Sequence, residues 1–239
     1  MSKGTLYIVA TPLGNRDDIT IRALKTLCSV DIVLCEDTRK TGTLIAYYQT
    51  TEPFRLMMRR DGHPRLISYY DEVEEQKLPE IIELLESGTN VALVSDAGTP
   101  LISDPGFLLV RECRKRSIPV SPIPGPSSIL AALSVSGLPT DKFTFLGYLP
   151  KKQGKRITLL KKIMILLTDE ITKSVILFET PRRLQKTLAD IQEVFGNREI
   201  VIARELTKVH EEVWKGQVHE AIDYFTDPKG EFVLLISRN

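Results

Sequence analysis

Three short segments of this 239-residue chain put carboxylates and hydroxyls among small residues, directly after apolar runs. Val91-Ala92-Leu93-Val94 leads into Ser95-Asp96-Ala97-Gly98-Thr99-Pro100 and on to Gly106. Leu6-Tyr7-Ile8-Val9-Ala10 leads into Thr11-Pro12-Leu13-Gly14-Asn15, and Asp31-Ile32-Val33-Leu34-Cys35 into Glu36-Asp37-Thr38-Arg39. Continuous apolar, β-branched runs read as strands buried on both faces of a parallel sheet. Open α/β sheets bind ligands outside the carboxyl ends of their strands, so the three loops are expected to line one cleft. A fourth segment, Pro124-Gly125-Pro126-Ser127-Ser128, reads as a rigid strand-to-helix corner presenting two hydroxyls and helix N–H groups. The chain has no GxxxxGK[ST] loop, and no GxGxxG follows the first strand, so nucleotide and dinucleotide fingerprints are missing. A small ligand without a pyrophosphate fits these loops better.

The elements that must hold the loops follow from pattern and caps. Asp17 and Asp18 read as caps of a helix with apolar residues at Ile21, Leu24 and Leu27. Asp104 reads as the N-cap, and Pro105 as the first residue, of a helix running to Arg116. The prolines in Ile118-Pro119-Val120-Ser121-Pro122-Ile123 place that strand near a sheet edge. Beyond it the pattern changes. Strands are expected at 143–147, 174–178, 199–203 and 232–236, with helices at 155–167 and 181–195, the latter between Thr180 as N-cap and Gly196. Gly216 beside Val213-Trp214 points to antiparallel pairing. The expected fold is therefore α/β in two parts: a doubly wound, mostly parallel domain at 1–120 and an α+β domain with a mixed sheet at 121–239.

Composition excludes several classes. Hydrophobic residues make up 42%, which supports a real core, and the net charge of +1 leaves only local patches to attract a polyanion. Cys28, Cys35 and Cys113 are scattered, and the three histidines do not cluster, so neither disulfides nor a metal site is expected. Cys28 and Cys35 read as core residues and Trp214 as packing. No apolar run reaches membrane-spanning length, and Met1-Ser2-Lys3-Gly4 leads straight into a strand, so no leader is expected and the location reads as cytoplasmic.

The loop motifs, together with Phe178-Glu179-Thr180-Pro181-Arg182-Arg183 and Ala203-Arg204-Glu205-Leu206-Thr207-Lys208-Val209-His210-Glu211-Glu212, resemble one family in order from Gly4 to about Gly216. That family is ribosomal RNA small subunit methyltransferase I, within the tetrapyrrole methylase superfamily. The chain departs from its usual pattern at Tyr70-Asp71-Glu72-Val73 and in an Arg-rich stretch from Arg55 to Arg65. The resemblance implies two α/β domains with a donor cleft between them, S-adenosylmethionine as donor, a homodimer, and a cytidine ribose 2′-hydroxyl in the decoding region of 16S rRNA as acceptor. Loop convergence and the resemblance together assign Pro12, Leu13, Asp96, Gly98, Thr99, Pro100, Ile102, Ser103, Ser127, Ser128 and Phe178 to the donor. A tetrapyrrole C-methyltransferase of the same fold, or a non-catalytic ribosome-binding module, would be the alternatives.

A ribose hydroxyl needs a group to take its proton. Asp37, Glu179, Glu205 and Lys208 are the main candidates, with Glu36 beside them. Each could instead hold a loop by an ion pair: Asp37 with Arg39, or Glu179 with Arg182. Glu205, Lys208 and Glu211 would share a face if their segment is helical. Arg182 and Arg183 fall in a helix's first turn, where the dipole disfavours cations, so an anionic partner is expected. Lys151, Lys152, Lys155 and Arg156, read as a mobile loop around Gly154, are candidate RNA contacts with Arg39, Arg182 and Arg183.

Overall fold

The computed structural model describes residues 2–51, 64–169 and 171–238. Arg55, Arg59, Arg60 and His63 of the Arg-rich stretch lie outside the described residues. The chain divides into two compact units, Met1–Ser127 and Ser128–Asn239. The division falls later than position 120 because Val120–Ile123 pairs with the first strand and belongs to the first sheet.

The first unit is a parallel sheet of β1 (Leu6–Val9), β2 (Ile32–Cys35), β3 (Arg65–Ser68), β4 (Val91–Val94) and β5 (Val120–Ile123), in the order β3-β2-β4-β1-β5. β2 and β4 are buried throughout, as their unbroken apolar runs require, and the proline-bearing β5 is an edge. α1 (Ile21–Ser29) and α2 (Thr38–Gln49) follow β1 and β2; α3 (Asp71–Glu86) and α4 (Phe107–Lys115) follow β3 and β4. Ala23 and Leu27 of α1 pack with Val9, Val33, Ala92 and Val94 on one face of the sheet. Leu109 and Cys113 of α4 pack with Leu6, Leu34 and Leu93 on the other.

Two expected caps are different in the structure. Thr20, not Asp17 or Asp18, caps α1 by accepting from the Ala23 amide; Asp17 and Asp18 form a short 3-10 turn ahead of it. Asp104 does not cap α4, which begins at Phe107 after Gly106. The cap comes from another helix. Glu74 of α3, 6% exposed, accepts through Oε1 from the amides of Gly106 (3.1 Å), Leu108 (3.0 Å) and Leu109 (3.4 Å), and from the Tyr69 hydroxyl (3.3 Å). A carboxylate there meets both the orphan amides and the positive end of the dipole. Gly106, at φ +124°, brings the chain so close to Leu93 that a Cβ would sit 2.4 Å from its Cδ2.

The second unit opens with α5 (Ser128–Val135) and builds a mixed sheet from β6 (Phe143–Tyr148), β7 (Ser174–Glu179), β8 (Glu199–Arg204), β9 (Glu212–Gln217) and β10 (Phe232–Ser237), in the order β6-β7-β10-β8-β9. β6 and β7 run parallel; the other pairings are antiparallel, including β8 with β9 through Val213 and Trp214. α6 (Gln153–Thr168), α7 (Pro181–Phe195) and α8 (Val218–Tyr224) complete it. Leu160, Ile163, Leu184, Leu188 and Val218 from these helices bury one face of the sheet. Trp214 is partly buried and packs against Phe225 and Tyr224, the packing role expected of it.

Replacing Glu74 by alanine leaves three amides at a buried helix end without their acceptor. We expect a loss of at least about 2 kcal/mol in urea unfolding, with faster hydrogen exchange in α4, and a smaller loss for Glu74→Gln, which keeps an acceptor oxygen. Wild-type unfolding and exchange in Glu74→Ala would show that the helix is capped otherwise.

Candidate active site

In the first unit, β1 and β4 are neighbours whose following helices lie on opposite faces of the sheet. Such a pair opens a crevice at its carboxyl edge. The two loops are joined there: Thr11 N donates to Gly98 O (2.9 Å), Gly98 N donates to Thr11 O (3.1 Å), and Thr11 Oγ1 donates to Ser95 O (3.1 Å). Thr99 Oγ1 donates to Pro126 O at 3.0 Å, which ties in the proline corner. Gly98 sits at φ +81°, and a Cβ on it would press on Leu13 Cδ2 at 3.1 Å. Pro12, Leu13, Asp96, Gly98, Thr99, Pro100 and Ser127 are thus gathered at one edge. Ile102 and Ser103 lie further along, exposed, in a turn where both Leu101 (φ 71°) and Ser103 (φ 69°) take left-handed backbone. Non-glycine residues held there store strain, which concentrates at functional sites. Ser128 begins α5 and Phe178 ends on β7, both in the second unit.

Carboxylates crowd the same edge. Asp96 N donates to Glu36 Oε1 (3.4 Å), Asp37 N to Asp96 Oδ1 (3.3 Å), and Lys40 Nζ to Asp96 Oδ2 (2.6 Å). Asp37 caps α2 and takes a two-point bond from Arg39 (3.0 and 2.8 Å). Those hydrogen bonds hold its carboxyl well below the usual range, which makes it a poor proton acceptor. The Asp37–Arg39 pair expected as a loop brace is present, and Arg39 lines a cavity of about 410 Å³ with Arg16, Lys40 and Thr43. Burial pushes Glu36 up. Asp104, which sequence reasoning spent on a helix cap, is pushed up to about 7 by burial and then by the Glu36 carboxylate. No local pattern could have shown this, because the neighbours that cause it come from β2 and β4.

The second unit corrects several expectations. Glu179 is 2% exposed; it accepts from Thr180 N (2.7 Å) and Thr187 Oγ1 (2.6 Å) and pairs with Arg183 (3.3 Å), not Arg182. It braces the turn into α7 and is enclosed, unlike a general base. Arg183 also donates to Leu149 O at 2.5 Å, so it faces the protein rather than a phosphate. Arg156 is no surface contact either: 4% exposed, it pairs with buried Asp190 and donates to Pro150 O (3.3 Å) and Lys151 O (3.2 Å). α6 begins at Gln153, so Gly154 is helical and Lys155 and Arg156 lie in the helix expected from 155, not in a mobile loop. Lys151, Lys152, Lys155 and Arg182 are exposed.

Residues 205–211 are turns, not a helix, with Glu205 at φ 49° and Thr207 at φ 64°. Lys208 Nζ nevertheless meets Glu205 Oε1 (2.9 Å) and Glu231 Oε2 (3.1 Å). Burial pulls Lys208 down, but its two carboxylate partners outweigh that and leave it above an ordinary lysine. Burial likewise pushes Glu205 up, and Lys208 and the Glu231 amide more than reverse it. The pair is a locked brace. Cys28, Cys35 and Cys113 are buried free thiols, and burial pushes each up. Among the described residues no helix is long and apolar enough to cross a membrane, and no group of His, Cys, Asp and Glu could hold a metal ion.

A family model described as Tetrapyrrole (Corrin/Porphyrin) Methylases matches residues 5–222. A protein of Thermotoga maritima named Ribosomal RNA small subunit methyltransferase I is 44% identical over 236 residues, covering 98% of both chains. One of the same name from Synechocystis is 46% identical over 98% of this chain and 79% of its own. This chain belongs to the ribosomal RNA small subunit methyltransferase I family. Membership makes it a methyltransferase of the tetrapyrrole methylase fold. A solved uroporphyrin-III C-methyltransferase from Thermus thermophilus, complexed with S-adenosylhomocysteine, shares that fold at TM-score 0.65 and 15% identity, over 98% of this chain and 97% of its own. A cobalt precorrin-4 methyltransferase does so at TM-score 0.65 and 18% identity, over 97% and 94%.

The raised Asp104 has a consequence for stability. Its folded form holds a proton that the unfolded chain releases near pH 4, so its contribution is full below that value and is lost as pH rises through about 7. Asp104→Asn should therefore flatten the fall in melting temperature between pH 4 and 8. An unchanged slope would show that the carboxyl titrates normally.

Proposed function

We propose that this methyltransferase moves the methyl group of S-adenosylmethionine to the ribose 2′-hydroxyl of a cytidine in the decoding region of 16S rRNA. It does so as a cytoplasmic homodimer. The near full-length identity of 44% and 46% to relatives named for small-subunit rRNA methylation carries this reading. The porphyrin and precorrin enzymes, at 15% and 18%, share the fold alone.

The residues present fit the donor. S-adenosylmethionine is cationic at sulfur and has no pyrophosphate, which matches a loop edge rich in carboxylates and free of a phosphate-binding fingerprint. Pro12, Leu13, Gly98, Thr99 and Pro100 would hold it, with backbone at Gly98 where a side chain has no room. When bound, the donor supplies an electrophilic methyl group; the protein positions the acceptor and removes its proton. Asp37 is too acidic, Glu179 is enclosed, and Glu205 and Lys208 neutralise each other. Glu36 and Asp104, both held above ordinary carboxyl values, are the better-tuned proton acceptors. Lys151, Lys152 and Lys155 offer exposed cations to RNA phosphates, with Arg182 and Arg39.

The test is transfer of tritium from labelled S-adenosylmethionine into small subunits lacking the modification, followed by alkaline hydrolysis and mapping. One labelled cytidine in an alkali-resistant dinucleotide is expected, because a methylated 2′-oxygen cannot cleave the backbone. Label on a base carbon, or transfer to uroporphyrinogen instead of subunits, would contradict the reading.

A further inference from the structure

The end of β6 is irregular in a way that creates a surface. Its pairing with β7 runs Phe143↔Ser174, Thr144↔Val175 and Phe145↔Ile176, then resumes at Tyr148↔Phe178. Three steps on β6 thus match two on β7, with Gly147 at φ 63° inside the bulge. In an unbroken strand, residues three apart point to opposite faces. Here the extra residue turns Tyr148 so that it and Phe145 both meet Phe178 edge-on, at centroid distances of 5.6 and 4.8 Å. Bulges at sheet edges commonly re-aim side chains in this way. Among the described residues the result is a group of three rings in which Tyr148 is 51% exposed.

The chain beyond Tyr148 is held firmly. Leu149 O accepts from Arg183, and Pro150 O and Lys151 O accept from buried Arg156. Three consecutive carbonyls are thereby fixed from inside, and the exposed side chains of Lys151 and Lys152 follow within four residues of the ring. An exposed ring followed within a few residues by exposed cations on a fixed backbone is the combination single-stranded nucleic acid sites use: bases stack on the ring, and phosphates meet the charges.

Resting on the rRNA reading, we propose that Tyr148, backed by Phe178, is a stacking platform for an unpaired base of the RNA substrate, with Lys151 and Lys152 on its flanking phosphates. A second copy of the chain is a poorer occupant. A two-fold contact would set the lysine-rich patch against itself, and like charges would repel.

Affinity for unmethylated small subunits would be titrated for wild type, Tyr148→Ala and Tyr148→Phe, with S-adenosylmethionine affinity by calorimetry and mass by sedimentation. Tyr148→Ala should bind subunits about ten-fold or more weakly, and Tyr148→Phe within about two-fold of wild type. Donor affinity and mass should stay as in wild type. Lys151→Gln with Lys152→Gln should flatten the log–log salt dependence by up to about 0.7–0.9 per lost contact. Wild-type binding by Tyr148→Ala overturns the platform. So does a loss of donor affinity, which would assign the ring to the donor, or a change in mass, which would assign it to subunit contact. Failure of the wild-type protein itself to bind subunits would instead remove the rRNA reading beneath it.

Discussion

The ion pair of Arg156 with Asp190 governs what the second unit can present. Both side chains are buried, at 4% and 2% exposure, and a buried pair costs desolvation that only good geometry and further hydrogen bonds offset. The further bonds are there: Gln153 Nε2 donates to Asp190 Oδ1 at 3.0 Å, and the guanidinium reaches Pro150 O and Lys151 O. The planar fork spreads five donors over three nitrogens, so Nε meets the carboxylate while another nitrogen reaches two carbonyls; a lysine must make every bond from a single nitrogen. Arg183 does part of the same, pairing with Glu179 and donating to Leu149 O, while its Nε is buried without a hydrogen-bond acceptor among the described residues. Basic residues that a sequence reading would send to RNA therefore act from beneath, and the lysines they leave outside are the ones free to meet a polyanion.

The first unit solves a different problem. A parallel sheet whose helices leave on opposite faces opens a crevice at β1 and β4, and the chain must close it without side chains in the way. The Thr11–Gly98 bridge and the close approach at Gly98 do that. Glu74 then holds the far end of the same loop by capping α4, so residues 95–106 are tied at both ends. Carboxyls packed into such an edge repel each other's charge. Asp104 answers by keeping its proton to about pH 7, and a cationic ligand would relieve the same repulsion.

Much of this was legible in the sequence. Buried strands at β1, β2 and β4, the edge position of β5, the bounds of α7 and the antiparallel β8–β9 pair all follow from run length, proline and cap residues. What was not legible depends on contacts between distant segments. Asp104 resembles an N-cap locally, but Glu74, about thirty residues earlier in the chain, occupies that role. Arg156 and Lys155 are adjacent and chemically alike in sequence, yet one is buried and one exposed, because only the helical phase of α6 and Asp190 on α7 distinguish them. The spacing of Glu205 and Lys208 suits a helix, whereas the left-handed backbone at Glu205 and Thr207 makes turns that pair them all the same.

A buried guanidinium shapes the loop proposed to meet RNA, and Arg156→Lys tests that most directly. The substitution keeps the charge and the pairing with Asp190 but cannot also hold both carbonyls. Subunit affinity of the folded variant should fall about ten-fold while S-adenosylmethionine affinity stays at the wild-type value, and amide exchange across residues 149–152 should quicken. Subunit binding as tight as wild type, in a variant whose loop exchange has risen, would contradict the claim that preorganisation of this loop matters.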